Sequence, residues 1–253
     1  MIELLEVGDA QQASVLGRTS PLVKLGLALA WLVGLALTLD PRPPAVLVGA
    51  AVLAGTWFGS LSPARLIRGI APLWLAAIGI AVFNTLFSGS NADPAALEAF
   101  RLGPFRITER ALVAGVALGA RVFAIAAVGV VFAQTTDPTR LVDALVQQGR
   151  VSGRFAYGAL AAYGAIPRFA QDLATLRAAR RIRGLRGSWH PRLLVGLLVL
   201  AIRHADRMAL AMDARAFGSG PRTRYREVRW TRLDAIVAAA GLAVLIGALL
   251  TAR

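Results

Sequence analysis

ALVAGVALGARVFAIAAVGVVFA, residues 111–133, runs for 23 residues with a single charged side chain, Arg121. A helix needs about 20 mostly apolar residues to cross the hydrocarbon of a bilayer. This stretch meets that length, and its neighbours extend the reading. Upstream, Leu22 to Leu39 is apolar and is closed by Asp40-Pro41-Arg42-Pro43-Pro44, where three prolines are expected to stop the helix. Ala45 to Gly59 is shorter and is expected to fold back on the first span as a tight hairpin. Ser62-Pro63 opens a third helix, with Arg65 and Arg68 at the membrane surface and Ile70 to Phe87 crossing. Ser88 to Arg110 reads as a polar external loop. Downstream, Leu233 to Ala252 supplies a fifth span.

Composition agrees. Of 253 residues 57% are hydrophobic and 17% charged, with a mean hydropathy of +0.61, too apolar for an ordinary soluble domain. There is no cysteine, and His190 and His204 are the two histidines, which excludes disulfides, thiolate chemistry and most transition-metal sites. The first twenty residues are polar and carry Glu3, Glu6 and Asp9, unlike the basic start of a secretory signal, so the first apolar segment is expected to stay in the mature protein.

The outlier is Gln134 to Arg232, which holds 18 of the 28 basic residues and six acidic ones. The positive-inside rule places such a block in the cytoplasm, and counting back through four crossings places the N-terminus there too. The expected organisation is therefore a membrane region over 1–133, a cytoplasmic helical domain over 134–232 and a closing span over 233–253, all-α throughout.

Within the basic block, Asp137-Pro138 reads as N-cap and N1 of a helix carrying Leu141, Val142, Leu145 and Val146 at helical spacing. A long helix follows from Gly153 to about Arg183, with Pro167 expected to kink it. Another runs from Arg192 to Phe217. Both are apolar first and basic last, as if one design were used twice, and both end in an arginine among small residues: Ile182-Arg183-Gly184 and Ala214-Arg215-Ala216. An arginine in a last turn favours the negative end of the helix dipole, and a following glycine terminates the helix. The same guanidinium, unobstructed by small neighbours, is also a fork suited to carboxylates or helix-end carbonyls of a partner.

At these residues the sequence resembles the transmembrane T component of energy-coupling factor transporters, the vitamin and metal-ion uptake systems that include the CbiQ and BioN proteins. The family's two coupling helices carry Ala-Arg-Gly-like tripeptides. The resemblance places them at Ile182-Arg183-Gly184 and Ala214-Arg215-Ala216, with Ile182 and Ala216 each departing at one small position. Ala211-Met212-Asp213 before the second tripeptide is the more specific match, and Pro21 with Lys24 is similar to the family's entry to the first span. Gln134-Thr135-Thr136-Asp137-Pro138 is similar to its exit from the fourth.

The resemblance implies a multi-pass scaffold in a prokaryotic plasma membrane that binds no cofactor itself. Two ATP-binding-cassette ATPases would hold the coupling helices and supply ATP hydrolysis, and a separate small membrane protein would bind the substrate. The residues agree with a missing engine: the single lysine, Lys24, follows Ser-Pro-Leu-Val and not a glycine-rich phosphate loop. An autonomous transporter would cluster polar residues at mid-membrane, and an enzyme of phosphorylated lipids would set a nucleophile or paired acids beside the arginines. Neither pattern stands out. The arginines punctuate apolar helices without a continuous basic and aromatic face, which favours lipid and protein partners over nucleic acid.

Arg121 inside a span is expensive unless it faces protein or water. It either snorkels, pairs with Asn84, or serves function. Gly26, Ala30 and Gly34, Gly55 and Gly59, and Gly115 and Gly119 recur at four-residue spacing, which permits close helix contact within the chain or with a docked partner.

Overall fold

The computed structural model describes residues 9–38, 40–93, 95–102, 105–185, 187, 189–220 and 226–251. Glu3 and Glu6 of the polar N-terminal stretch lie outside the described residues. The chain forms two compact units, one of residues 1–141 with 229–253 and one of residues 142–228.

The first unit begins with two short helices, α1 (Asp9–Ala13) and α2 (Val15–Arg18). Pro21 then occupies N1 of α3 (Pro21–Ala36), where a missing N–H costs nothing. The Pro-rich turn behaves differently from its sequence expectation. α4 (Arg42–Leu53) starts inside it, with Pro43 and Pro44 buried in its first turn, where their amides would have no intrahelical acceptor. A π-helical turn, Ala54–Phe58, prolongs α4. α4 packs principally on α6 (Glu109–Thr135) and also on α11 (Arg232–Leu250), so the tight α3–α4 hairpin expected from the short connection is not the main contact.

α5 (Pro63–Leu86) has Ser62 as its N-cap, accepting from the Arg65 amide at 3.3 Å, with Pro63 at N1. The segment after it is more ordered than a polar loop. A 3₁₀ turn (Gly89–Ala92) leads to an antiparallel hairpin of β1 (Glu98–Leu102) and β2 (Phe105–Thr108). Asn91 donates to the carbonyls of Thr85 and Leu86 and accepts from the Thr108 amide, fastening the end of α5 to the start of α6. α5, α6 and α11 are each long and apolar enough to span a membrane; α3, with 16 residues, is a shorter apolar helix.

α5 and α6 form the most extensive helix pair of the unit. Their closeness comes from Gly115 and Gly119. A Cβ added at Gly119 would lie 2.8 Å from the Ala81 Cβ and 3.0 Å from the Ala77 carbonyl, and one at Gly115 would meet Thr85 Oγ1 and the Ala81 carbonyl. Gly34 faces Leu245 and Gly55 faces Val131 in the same way, so these glycines serve internal packing, whereas a Cβ at Gly26 meets nothing described within 4 Å. With no hydrophobic drive between helices in lipid, such close van der Waals contact is what joins them.

In the second unit, α7 (Pro138–Gln147), which straddles the boundary, is followed by α8 (Gly153–Gly164) and α9 (Ile166–Ile182). The one long helix expected over 153–183 is thus broken at Ala165, because Pro167 cannot donate to a preceding carbonyl and its ring crowds that turn. α10 (Pro191–Ala214) is continuous.

Gly119→Leu is expected to lower the thermal midpoint of the detergent-solubilised chain, by the roughly 1–3 kcal/mol typical of overpacking. Gly129→Ala, where an added Cβ meets nothing described within 4 Å, should leave the midpoint within the error of the same melting experiment.

Candidate functional site

α9 and α10 lie antiparallel. Phe169 meets His204 edge-on with ring centroids 6.3 Å apart, Leu176 sits over Gly196, and Arg154, at the start of α8, donates to the Gly218 carbonyl at 2.5 Å. The paired numbers rise on one side as they fall on the other, as a helical hairpin requires. The C-terminal ends of α9 and α10 therefore lie at opposite ends of the hairpin. The 24 residues of α10 separate them by roughly 35 Å at the helical rise.

Both ends are built alike. In α9 the Gly184 amide donates to the Arg181 carbonyl at 3.0 Å and the Leu185 amide to the Arg180 carbonyl at 3.2 Å. In α10 the Ala216 amide donates to the Asp213 carbonyl at 2.8 Å and the Phe217 amide to the Met212 carbonyl at 2.9 Å. Each is a Schellman termination, with its crossed pair of bonds and a left-handed residue just past the cap. Gly184 has φ +71° and Ala216 has φ +54°. Arg183 and Arg215 are the two C-caps.

This geometry gives the tripeptides a physical reading. The third position must be left-handed, which is why glycine suits it and why Ala216 holds it under strain of about 1 kcal/mol. The first position is the last helical residue, and Ile182 there is 87% exposed. Ile182, Arg183, Gly184, Ala214, Arg215 and Ala216 are all exposed. Ala211, Met212 and Asp213 form the last turn of α10, and the carbonyls of Met212 and Asp213 receive the terminating bonds. The departures at Ile182 and Ala216 leave the backbone of the two tips the same.

Elsewhere in this unit the Tyr157 hydroxyl donates to Asp143 at 2.7 Å. Gln147 donates to the Arg226 carbonyl at 2.7 Å and accepts from the Val228 amide at 3.0 Å. On the first half of α10, Leu194, Val195, Leu198, Val199 and Ile202 are exposed.

Pro21 and Lys24 sit apart from the tips, in the first unit. Lys24 is buried and donates from Nζ to the carbonyl of Thr135, the last residue of α6, at 2.7 Å. Beside it Asp234, 2% exposed, accepts from the Ser20 amide at 2.6 Å and, through its other oxygen, from the Thr231 amide at 2.8 Å. Arg140 donates to the Gly17 carbonyl. Asp234 fastens the start of α3 to α11. Its capping box with Thr231 is legible as T-x-x-D, but its reach to Ser20, 214 positions away, is not. Arg121 is not bonded to Asn84. It donates to the Thr38 carbonyl just past α3, while Asn84 bonds the Ile80 carbonyl of its own helix.

The family model described as CbiQ, cobalt transport protein, matches residues 12–225 of this chain. The chain belongs to that family. The energy-coupling factor transporter transmembrane protein EcfT of Heliobacterium modesticaldum is 31% identical over 200 residues, covering 72% of this chain and 73% of its own. The EcfT protein of Acidaminococcus fermentans is 27% identical over 251 residues, covering 92% and 91%. A putative ABC transporter ATP-binding protein of Bifidobacterium longum is 29% identical over 246 residues, which cover 90% of this chain and only 30% of that protein.

Replacing Ala216 by Gly is expected to relieve the left-handed strain and raise unfolding stability by about 1 kcal/mol. Gly184→Val should lower it by at least as much. Both are read as shifts in the melting midpoint of the purified chain.

Proposed function

We propose that this transmembrane component of an energy-coupling factor transporter works as a scaffold gripped at two points. Residues 134–232 and the N-terminus face the cytoplasm, where two ATP-binding-cassette ATPases hold the tips at Arg183 and Arg215, one each. A separate small membrane subunit binds the substrate, a vitamin or a metal ion, and docks on the scaffold. ATP is hydrolysed by the ATPases; this chain is non-catalytic and passes their movement on.

The observation that carries this reading is the pair of identical helix ends. Two exposed arginines, each projecting from a cap whose own carbonyls are already bonded, stand roughly 35 Å apart on one hairpin. A Schellman end closes its last carbonyls with backbone amides and does not use the arginine side chain for that. Separate tips suit two copies of a similar partner better than one composite pocket. An arginine fork binds a carboxylate or the carbonyl end of a partner helix in fixed geometry. The Bifidobacterium longum relative supports an ATPase partner, since a protein named for ATP binding contains a region matching 90% of this chain.

The mechanical consequence follows from the hairpin. When the ATPases close on ATP, the two gripped ends are driven relative to each other, and a rigid α10 carries that displacement along its length. The exposed apolar face from Leu194 to Ile202 is surface that the bilayer or a membrane-embedded subunit would cover. Movement of that face would tilt the substrate-binding subunit.

The test is co-purification from detergent of the tagged chain with the ATPases and substrate-binding subunit expressed beside it, together with uptake in vesicles. Arg183→Ala/Arg215→Ala should lose ATPase co-purification and ATP-driven uptake, with affinity falling at least about tenfold per arginine. A double variant that keeps ATP-driven uptake would refute the role of the two arginines. A wild-type chain that transports alone, without any ATPase, would refute the scaffold.

A further inference from the structure

The first unit holds a half-open cavity of about 460 Å³ bordered by α2, α3, α4 with its π-turn, α6 and α11. Its walls are almost wholly apolar, with Trp31, Phe58, Val131, Val237 and Ala240 among them, and the Trp31 indole is turned away to the Gly241 carbonyl at 2.9 Å. The exception is at one end, where Lys24 lines the cavity beside Thr135. The cavity thus has the polarity of an amphiphile: a long apolar body and a cationic foot.

Among the described residues the foot has no counter-charge. Lys24 is 8% exposed, and its bond to the Thr135 carbonyl uses one of three ammonium donors. None of the described ion pairs includes Lys24. The buried carboxylate of Asp234 is engaged with the Ser20 amide and with Thr231. Arg140 brings a like charge into the neighbourhood of Lys24. A buried cation with a second cation near it and, among the described residues, no anion on it is unfavourable, and an anion brought to it is correspondingly well held.

The depth of the foot selects the occupant. Lys24 lies in the first turn of α3, and Thr135 is the last residue of α6, so the cationic end sits where these helices meet the headgroup layer. The apolar body runs from there into the hydrocarbon, past Trp31 and Ala240. We propose that this cavity is a binding site for one anionic phospholipid, with an acyl chain between α3, α4, α6 and α11 and the phosphate at Lys24 and Arg140. Because the acyl chain would come from hydrocarbon and not from water, its seat is held by van der Waals packing, and the phosphate at the cationic foot supplies the selectivity. The lipid would complete the wall between α3 and α11 and neutralise the foot. This site is independent of the two arginine tips.

The experiment is native mass spectrometry of the full-length chain in detergent, titrated with phosphatidylglycerol or phosphatidylethanolamine of the same acyl composition. One phosphatidylglycerol should bind per chain, about fivefold more tightly than phosphatidylethanolamine. Lys24→Met should abolish that preference, and Lys24→Arg should keep it. Ala240→Phe, at an exposed position of α11 that lines the cavity, should lower retention of both lipids while the helical circular dichroism stays that of the wild type. Equal retention of the two lipids by the wild type, or undiminished binding by Ala240→Phe, overturns the site. Lipid binding that appears only after deletion of residues 1–8 assigns the cavity to the chain's own N-terminus and overturns it as well.

Discussion

A helix that ends near hydrocarbon leaves its first amides and last carbonyls without water, and each such group left unbonded costs several kcal/mol. In the first unit of this chain local caps such as Ser62 and Thr231 satisfy some of those groups, and side chains from other elements satisfy others. Lys24 of α3 bonds the last carbonyl of α6, and Asp234 of α11 bonds the amide just before α3. Arg121 of α6 bonds a carbonyl just beyond α3, and Asn91 bonds both the end of α5 and the start of α6. Each of these caps from another element is therefore also a cross-link between helices. The polar residues of the membrane unit are placed by this requirement more than by any chemistry they perform.

The hairpin of the second unit solves the same problem the other way. α9 and α10 close on themselves through Schellman bonds, so their ends need no foreign donor. The two tips therefore differ from the start of α3 and the end of α6, whose backbone groups are met by side chains of other elements.

Much of this was legible in order along the chain. Apolar runs of spanning length, Ser62-Pro63 and Asp137-Pro138 as helix starts, the kink at Pro167 and the arginine-tipped ends at Arg183 and Arg215 are all local signals, set by hydropathy, proline geometry and cap chemistry. The Pro43-Pro44 start of α4 and the 98–108 hairpin were misread for local reasons. Proline in a first turn looks like proline that stops a helix, and a two-stranded hairpin of mixed residues looks like a loop.

What the sequence by itself determined is the set of helices, their membrane character and the family, because these rest on periodicity, length and short motifs. Only the tertiary structure decided that α4 packs on α6, that Arg121 serves Thr38, that Ala216 shares the left-handed geometry of Gly184, and that Lys24 stands buried at the foot of an apolar cavity. The physical reason is that a cap or a counter-charge is a property of a pair. Ser20 and Asp234 are 214 residues apart, and Lys24 and Thr135 are 111 apart; no local pattern in either partner states which distant carbonyl or amide it will meet.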